Sequence, residues 1–140
     1  MPEKRTVEKA KEDLREGKSP STAAGEFVRE EMDHIREGKH GARSTKQAIA
    51  IGLSEARRAG IPLKPPAKGR TSRRTRRSAK RAYEVGQKKR KPRSPSRRRS
   101  KASSRALRRE PRRAASRKAL SAQARRAAAA RRGRRSRSRR

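Results

Sequence analysis

The stretch Arg36-Glu37-Gly38-Lys39-His40-Gly41-Ala42-Arg43-Ser44-Thr45-Lys46-Gln47 stops one helix, turns, and starts another. Its first four residues repeat Arg15-Glu16-Gly17-Lys18, and Arg57-Arg58-Ala59 runs into a third glycine, Gly60. A glycine just past a helix end takes the left-handed backbone conformation at no Cβ cost, so each of the three marks a stop. The start signals agree. Ser19 caps a helix whose first residue is Pro20, where the missing N–H would have had no partner, and Ser44 with Gln47 has the Ser-x-x-Gln form of a capping box.

Between these signals the apolar residues recur at helical spacing: Val7, Ala10 and Leu14; Ala24, Phe27, Val28, Met32 and Ile35; Ala48, Ile49, Gly52, Leu53 and Ala56. The pattern predicts helices near 6–16, 20–37 and 45–59. The first stripe is thin, so that helix is expected to dock weakly or fray, while the second and third pair as a hairpin across Gly38 to Arg43. The expected fold is all-α: a two- or three-helix module in residues 1–60, then a Pro-rich linker over 61–69 and a basic low-complexity tail over 70–140.

Charge divides the chain at the same place. Residues 61–140 hold 34 Lys and Arg against Glu84 and Glu110, whereas residues 1–60 hold 13 bases against 11 acids, so the halves are +32 and +2 of the total +34. With 27% apolar and 1% aromatic residues and a mean hydropathy of −1.45, most of the chain lacks the apolar surface to offset a backbone ordering entropy of roughly 1–2 kcal/mol per residue. Any folded core is therefore expected within residues 1–60. No cysteine is present to staple it. The N-terminal Met1-Pro2-Glu3-Lys4-Arg5 has no apolar segment behind it, and the longest apolar run, Ala48 to Leu53, is far below the roughly 20 residues of a membrane span. A soluble cytoplasmic protein is expected.

Residues 61–140 carry 26 Arg and 8 Lys among Ser and Ala. Its candidate phosphate-binding residues are Arg73, Arg74, Arg76 and Arg77; Lys88, Lys89, Arg90 and Lys91; Arg97, Arg98 and Arg99; and Arg131, Arg132, Arg134 and Arg135. The guanidinium fork donates two hydrogen bonds to one phosphate, which suits it to this work. Pro92, Pro95 and Pro111 leave Ala-rich pieces near 71–90, 97–110 and 112–132 with helix propensity, opposed by Arg–Arg repulsion. A disordered tail that becomes helical on a polyanion is the expectation. The 11 acids of the first half also offer an internal polyanion on which the tail could fold back.

Two resemblances enter at this point. Lys18-Ser19-Pro20-Ser21-Thr22, Gly25 to Met32 and Gly38 to Ser54 resemble a family of small basic bacterial proteins of unassigned function, over about residues 1–65. That likeness implies a bacterial cytoplasmic origin and a helical module, and it transfers no functional residue. The tail resembles those of linker histones and bacterial histone-like proteins, with Ser94-Pro95-Ser96-Arg97-Arg98 close to their Ser-Pro-basic-basic element, though it is richer in Arg and carries one extra serine. A ribosome-associated or RNA-packaging tail has the same composition, because phosphates and counterion release supply the affinity of all such segments.

Tyr83 is the only aromatic residue of the basic half. Single-strand binders and most RNA readers stack bases on aromatic rings, so duplex DNA is the favoured partner. A helix-turn-helix reading places Arg43, Ser44, Thr45 and Lys46 at nucleic acid; the plainer reading has Ser44 and Gln47 capping a helix and Lys46 in water. His34 and His40, six apart with no third imidazole or thiolate, do not share a helical face, and neither a metal site nor a cofactor is expected. The Gly38-Lys39-His40-Gly41 stretch lacks the Gly-Lys-Ser/Thr ending of a phosphate loop, and the carboxylates read as surface pairs. No catalytic constellation is present, so the expected function is nonspecific DNA binding and condensation in a nucleoid, with self-association or a protein partner on the N-terminal helices. The alternative is an RNA- or ribosome-associated adaptor whose module docks on a protein.

Overall fold

In the computed structural model, which describes residues 2–140, six α-helices and one 3-10 turn follow one another, with no strand among the described residues. They are α1 Lys4–Arg15, α2 Pro20–Arg36, α3 Thr45–Arg58, α4 Arg73–Gly86, α5 Arg97–Arg109, the 3-10 turn Arg113–Ala115, and α6 Arg117–Ser138. The all-α expectation holds. Gly17, Gly38 and Gly60 all have positive φ, 82°, 81° and 98°. At the second stop Lys39 N donates to His34 O at 3.0 Å and Gly38 N to Ile35 O at 3.1 Å, which satisfies carbonyls the helix leaves over. Ser19 Oγ accepts from Thr22 N and Ser44 Oγ from Gln47 N, both at 3.2 Å. Gln47 Oε1 reaches back to Arg43 N at 2.7 Å, one residue earlier than the usual box.

Helix α2 is the centre of the packing, with α1 and α3 against it and α4 against α3. One cluster joins Ala10, Ala23, Ala24, Phe27, Ala56 and Ile61, backed by Val7, Leu14, Leu53, Ala59 and Leu63. Phe27 has no exposed surface, and burying it stabilises the fold by roughly 1.5–3 kcal/mol. Where α2 and α3 cross, Gly52 lies so close to α2 that a Cβ would stand 2.7 Å from Val28 Cα and 2.9 Å from Val28 N. The two backbones meet because this position has no side chain.

Polar contacts hold α1, which its thin stripe does not reveal. No side chain of α1 caps its first turn. Glu30 on α2 does so instead, its Oε1 accepting from Glu3 N at 2.7 Å. At the other end Asp13 is 2% exposed, accepts from Lys18 Nζ at 2.7 Å, and has Lys9 Nζ at 3.6 Å. The helix is docked at both ends, contrary to the expectation of fraying.

The basic half corrects two expectations. It is helical across the pieces the prolines leave, with Ser72 and Ser116 as caps whose Oγ atoms accept from Thr75 N and Ala119 N at 3.1 Å, in place of a disordered arm. It also enters the core, which does not end at residue 60. Ile61 is 1% exposed, and the buried Arg57 pins the following strand of chain by donating from Nε to Leu63 O at 3.1 Å and from Nη2 to Lys64 O at 3.3 Å. Ala79 and Ala82 are buried on α4, the helix that packs on α3. Ala114 and Ala115 complete a second cluster with Met32, Ile35, Ala42 and Ala48, backed by Val28, Ile49 and Leu120. Composition misses this because alanine carries little hydropathy, yet its small side chain lets backbone seat closely. Helix α5 has no buried residue and packs against no other helix.

Two outcomes follow from this packing. Gly52→Ala forces a methyl group into the Val28 backbone, and a loss of about 1–3 kcal/mol is expected in urea unfolding. The Lys18 ammonium, hydrogen-bonded to Asp13, holds that carboxyl below its ordinary value even against desolvation. Its contribution is therefore complete above the unfolded value of about 3.9 and lost as pH falls through the lower folded one. Asp13→Asn should lower stability at neutral pH and weaken the fall in stability below about pH 4 in acid titrations followed by circular dichroism.

Candidate nucleic-acid interface

All fifteen tail residues singled out as phosphate binders are exposed. Arg73, Arg74, Arg76 and Arg77 open α4; Lys88, Lys89, Arg90 and Lys91 follow its C-terminus; Arg97, Arg98 and Arg99 open α5; Arg131, Arg132, Arg134 and Arg135 lie in the outer half of α6. With 22 residues, α6 is roughly 33 Å long. None of α4, α5 and α6 has an acidic residue in its first turn. Cations there oppose the helix dipole by about 0.3–1 kcal/mol each, an arrangement an anion would relieve.

Sequence reasoning missed a concave part of this surface. The linker bends over the start of α4, and Arg76 Nε donates to Pro66 O at 3.2 Å. Between them lies a cleft of about 750 Å³ lined by Lys68, Arg73, Arg76, Arg77 and Lys80 with Pro65, Gly69 and Thr71, and by no carboxylate. Lys68 and Lys80 stand outside the densest charge runs; Lys80 lies one turn from Arg76 and Arg77 on α4, and the bend of the linker brings Lys68 to them. Tail charge is otherwise almost unopposed: Glu84 pairs with Lys80 at 3.9 Å and Arg90 at 3.4 Å, the two carboxylate contacts of the basic half among the described residues.

The first half does not take up the tail's charge. Its acids pair with its own bases and histidines, as in Lys9 with Glu12, Lys39 with Glu37 and Arg36 with Asp33. No ion pair joins the two halves among the described residues, which sets aside the fold-back of the tail on those acids. Seven carboxylates instead share a separate cleft along α1 and α2 with Arg5, Lys9, Arg15, Arg29 and His34.

The tail reaches the module by neutral backbone. Gly41 N donates to Leu107 O at 2.8 Å and Ala42 N to Pro111 O at 3.1 Å, while Arg36 Nε donates to Ala115 O at 2.9 Å. Thr45, expected among the helix-start contacts, is buried and donates its hydroxyl to Ala114 O at 2.7 Å. Arg43, Ser44 and Lys46 remain exposed, with Ser44 engaged as a cap. The chain's own segment 107–116 thus covers part of what a helix-turn-helix would present to a base edge. That corrects the reading of Thr45 as a contact residue.

His34 and His40 do come together. His40 lies on the turn, not on α2, and the turn returns its ring to 6.4 Å from that of His34, edge to face. Beside them Glu31 is 3% and Glu30 7% exposed, and both leave Oε2 without a hydrogen bond. Glu55, half-buried, has its carboxyl pushed up by desolvation and then by the charge of Glu31.

Residues 3–69 match the model of a family described as Family of unknown function (DUF6496). The matched stretch holds α1, α2, α3 and the linker, and ends before α4. No curated protein and no solved structure matches the chain. No helix among the described residues is long and apolar enough to cross a membrane.

The backbone seam is testable at one position. A Cβ on Gly41 would collide with the Glu110 carbonyl and lie 2.8 Å from Pro111 O. Gly41→Ala should speed hydrogen exchange at the Gly41 and Ala42 amides and in 113–120, while amides in the middle of α1 and α2 stay protected.

Proposed function

We propose that this chain is a nonspecific duplex-DNA-binding protein of the bacterial nucleoid, which condenses DNA through the phosphate contacts of its basic half. The observation that carries the reading is the set of exposed guanidinium groups on α4, α5 and α6, three of which line the carboxylate-free cleft under the linker. Phosphates are the ligand that suits them. Each guanidinium takes a phosphate by two donors, and an anion near the helix starts would also relieve the dipole mismatch there. At roughly 33 Å, α6 matches about one turn of B-DNA, so one face of it can follow a groove past several phosphates.

Duplex is favoured over single strands because stacking surfaces are scarce. Tyr83 is half-buried on α4, and no other aromatic side chain stands in the basic half. Helix α5 and the outer part of α6 have few packing partners, so they rest on the propensity of Ala and Arg against mutual repulsion. Neutralisation by phosphate removes that repulsion and firms both helices. The α1 to α3 module anchors the arm, and a second copy or a protein partner would meet the module's own surface.

The test is a salt titration of duplex binding by the full chain. If about ten phosphates are neutralised, the logarithm of affinity falls against the logarithm of salt with a slope of about −9. A slope shallower than about −3 would overturn the reading, and stronger retention of RNA at matched salt would move it to the ribosome-associated adaptor. Alanine at Arg73, Arg76 and Arg77 together should reduce the slope by about 3 with no change in sequence preference.

A further inference from the structure

We infer that Glu31, His34 and His40 form a binding site for one divalent transition-metal ion, Zn²⁺ being the best match to the donors. One ligand atom from each lies within 4.8 Å of the other two. Glu31 Oε2 is 3.2 Å from His40 Nε2, and Glu31 Oε1 is 3.8 Å from His34 Nδ1. An ion bound at about 2.0–2.2 Å holds tetrahedral ligands roughly 3.3–3.6 Å apart, so small side-chain shifts close the site. Two imidazoles and a carboxylate suit zinc and its neighbours in the first transition row, and the fourth position falls to water.

The second nitrogen of His40 is already committed. His40 Nδ1 lies 2.9 Å from Gly41 O. A carbonyl only accepts, so Nδ1 carries a proton, and Nε2 is the nitrogen that faces Glu31 and is placed to take an ion. His34 Nε2 faces two carboxylates, Glu3 Oε1 at 3.6 Å and Glu30 Oε1 at 3.9 Å, leaving Nδ1 for the ion. For His40 this is the outer arrangement that orients metal-binding histidines, its other nitrogen held by a backbone carbonyl, while carboxylates stand near the other nitrogen of His34.

A cation also answers a deficit that the protein leaves. Glu31 is buried with Oε2 aimed at His40 Nε2, yet that oxygen has no hydrogen-bond partner. Glu30 is buried beside it with its own Oε2 unpartnered, and Glu55 adds a third carboxylate. Among the described residues no Lys or Arg pairs with Glu30 or Glu31. Buried carboxylates left this way are costly unless a positive charge joins them. The ion would tie the turn to α2, and that same turn carries the Gly41 and Ala42 bonds to the tail.

Titration of Zn²⁺, and of Co²⁺ as a visible reporter, into the full metal-free chain tests the site. Calorimetry should give one ion per chain, and Glu31→Gln and His40→Ala should each weaken binding about 10- to 100-fold or more. Nitrogen NMR of the imidazoles should show Zn²⁺ moving His40 Nε2 and His34 Nδ1 while His40 Nδ1 keeps its proton. These are the chain's two histidines, so the signals have no other source. No saturable binding, wild-type affinity in both variants, or shifts at the opposite nitrogens would overturn the assignment. Glu31→Gln conserves volume, so it and the wild-type nitrogen shifts decide the matter even if His40→Ala unfolds.

Discussion

The seating of Ala114 and Ala115 between α2 and α3 fixes where the basic half of this chain lies. A segment carrying 32 more positive than negative charges would otherwise extend away from itself and from everything cationic. It is held by small apolar side chains and backbone groups, contacts with no charge to repel. Thr45, Arg36, Gly41 and Ala42 each bond a backbone carbonyl of residues 107–115, so the module grips the tail by its peptide groups. The guanidinium groups are left outward as a result.

This division of labour explains how one chain keeps a folded core beside a densely cationic surface. Packing uses Ala, Gly and the few large residues of α2, and Arg and Lys are left on the outer faces of α4 to α6. The linker belongs to both, since Ile61 is in the core and Lys68 lines the cleft. Helix α5, which touches no other helix, is the part of the surface freest to adjust to a ligand.

Electrostatics in the first half has a different character. Its charges are compensated locally, by Lys18 at Asp13 and by the Glu3 amide at Glu30, except around Glu31, where two imidazoles stand in place of a fixed cation. The spacing of His34 and His40 argued against a shared helical face, which says nothing of where a turn carries the second ring. The turn that begins at Gly38 brings a ring six residues away back to the same carboxylate.

What the sequence by itself determined is local: the three glycine stops, the Ser19 and Ser44 caps, the helical period between them, and the class of surface that 34 cations against two acids must make. These are readable because they depend on backbone sterics and summed charge within a few residues. Only the tertiary structure decided that the tail enters the core, that Thr45 faces inward, that Glu30 caps α1, and that Lys68 and Lys80 share a cleft. Each of those rests on contacts between distant residues, made by alanines and backbone groups whose hydropathy and charge leave almost no mark on a sequence pattern.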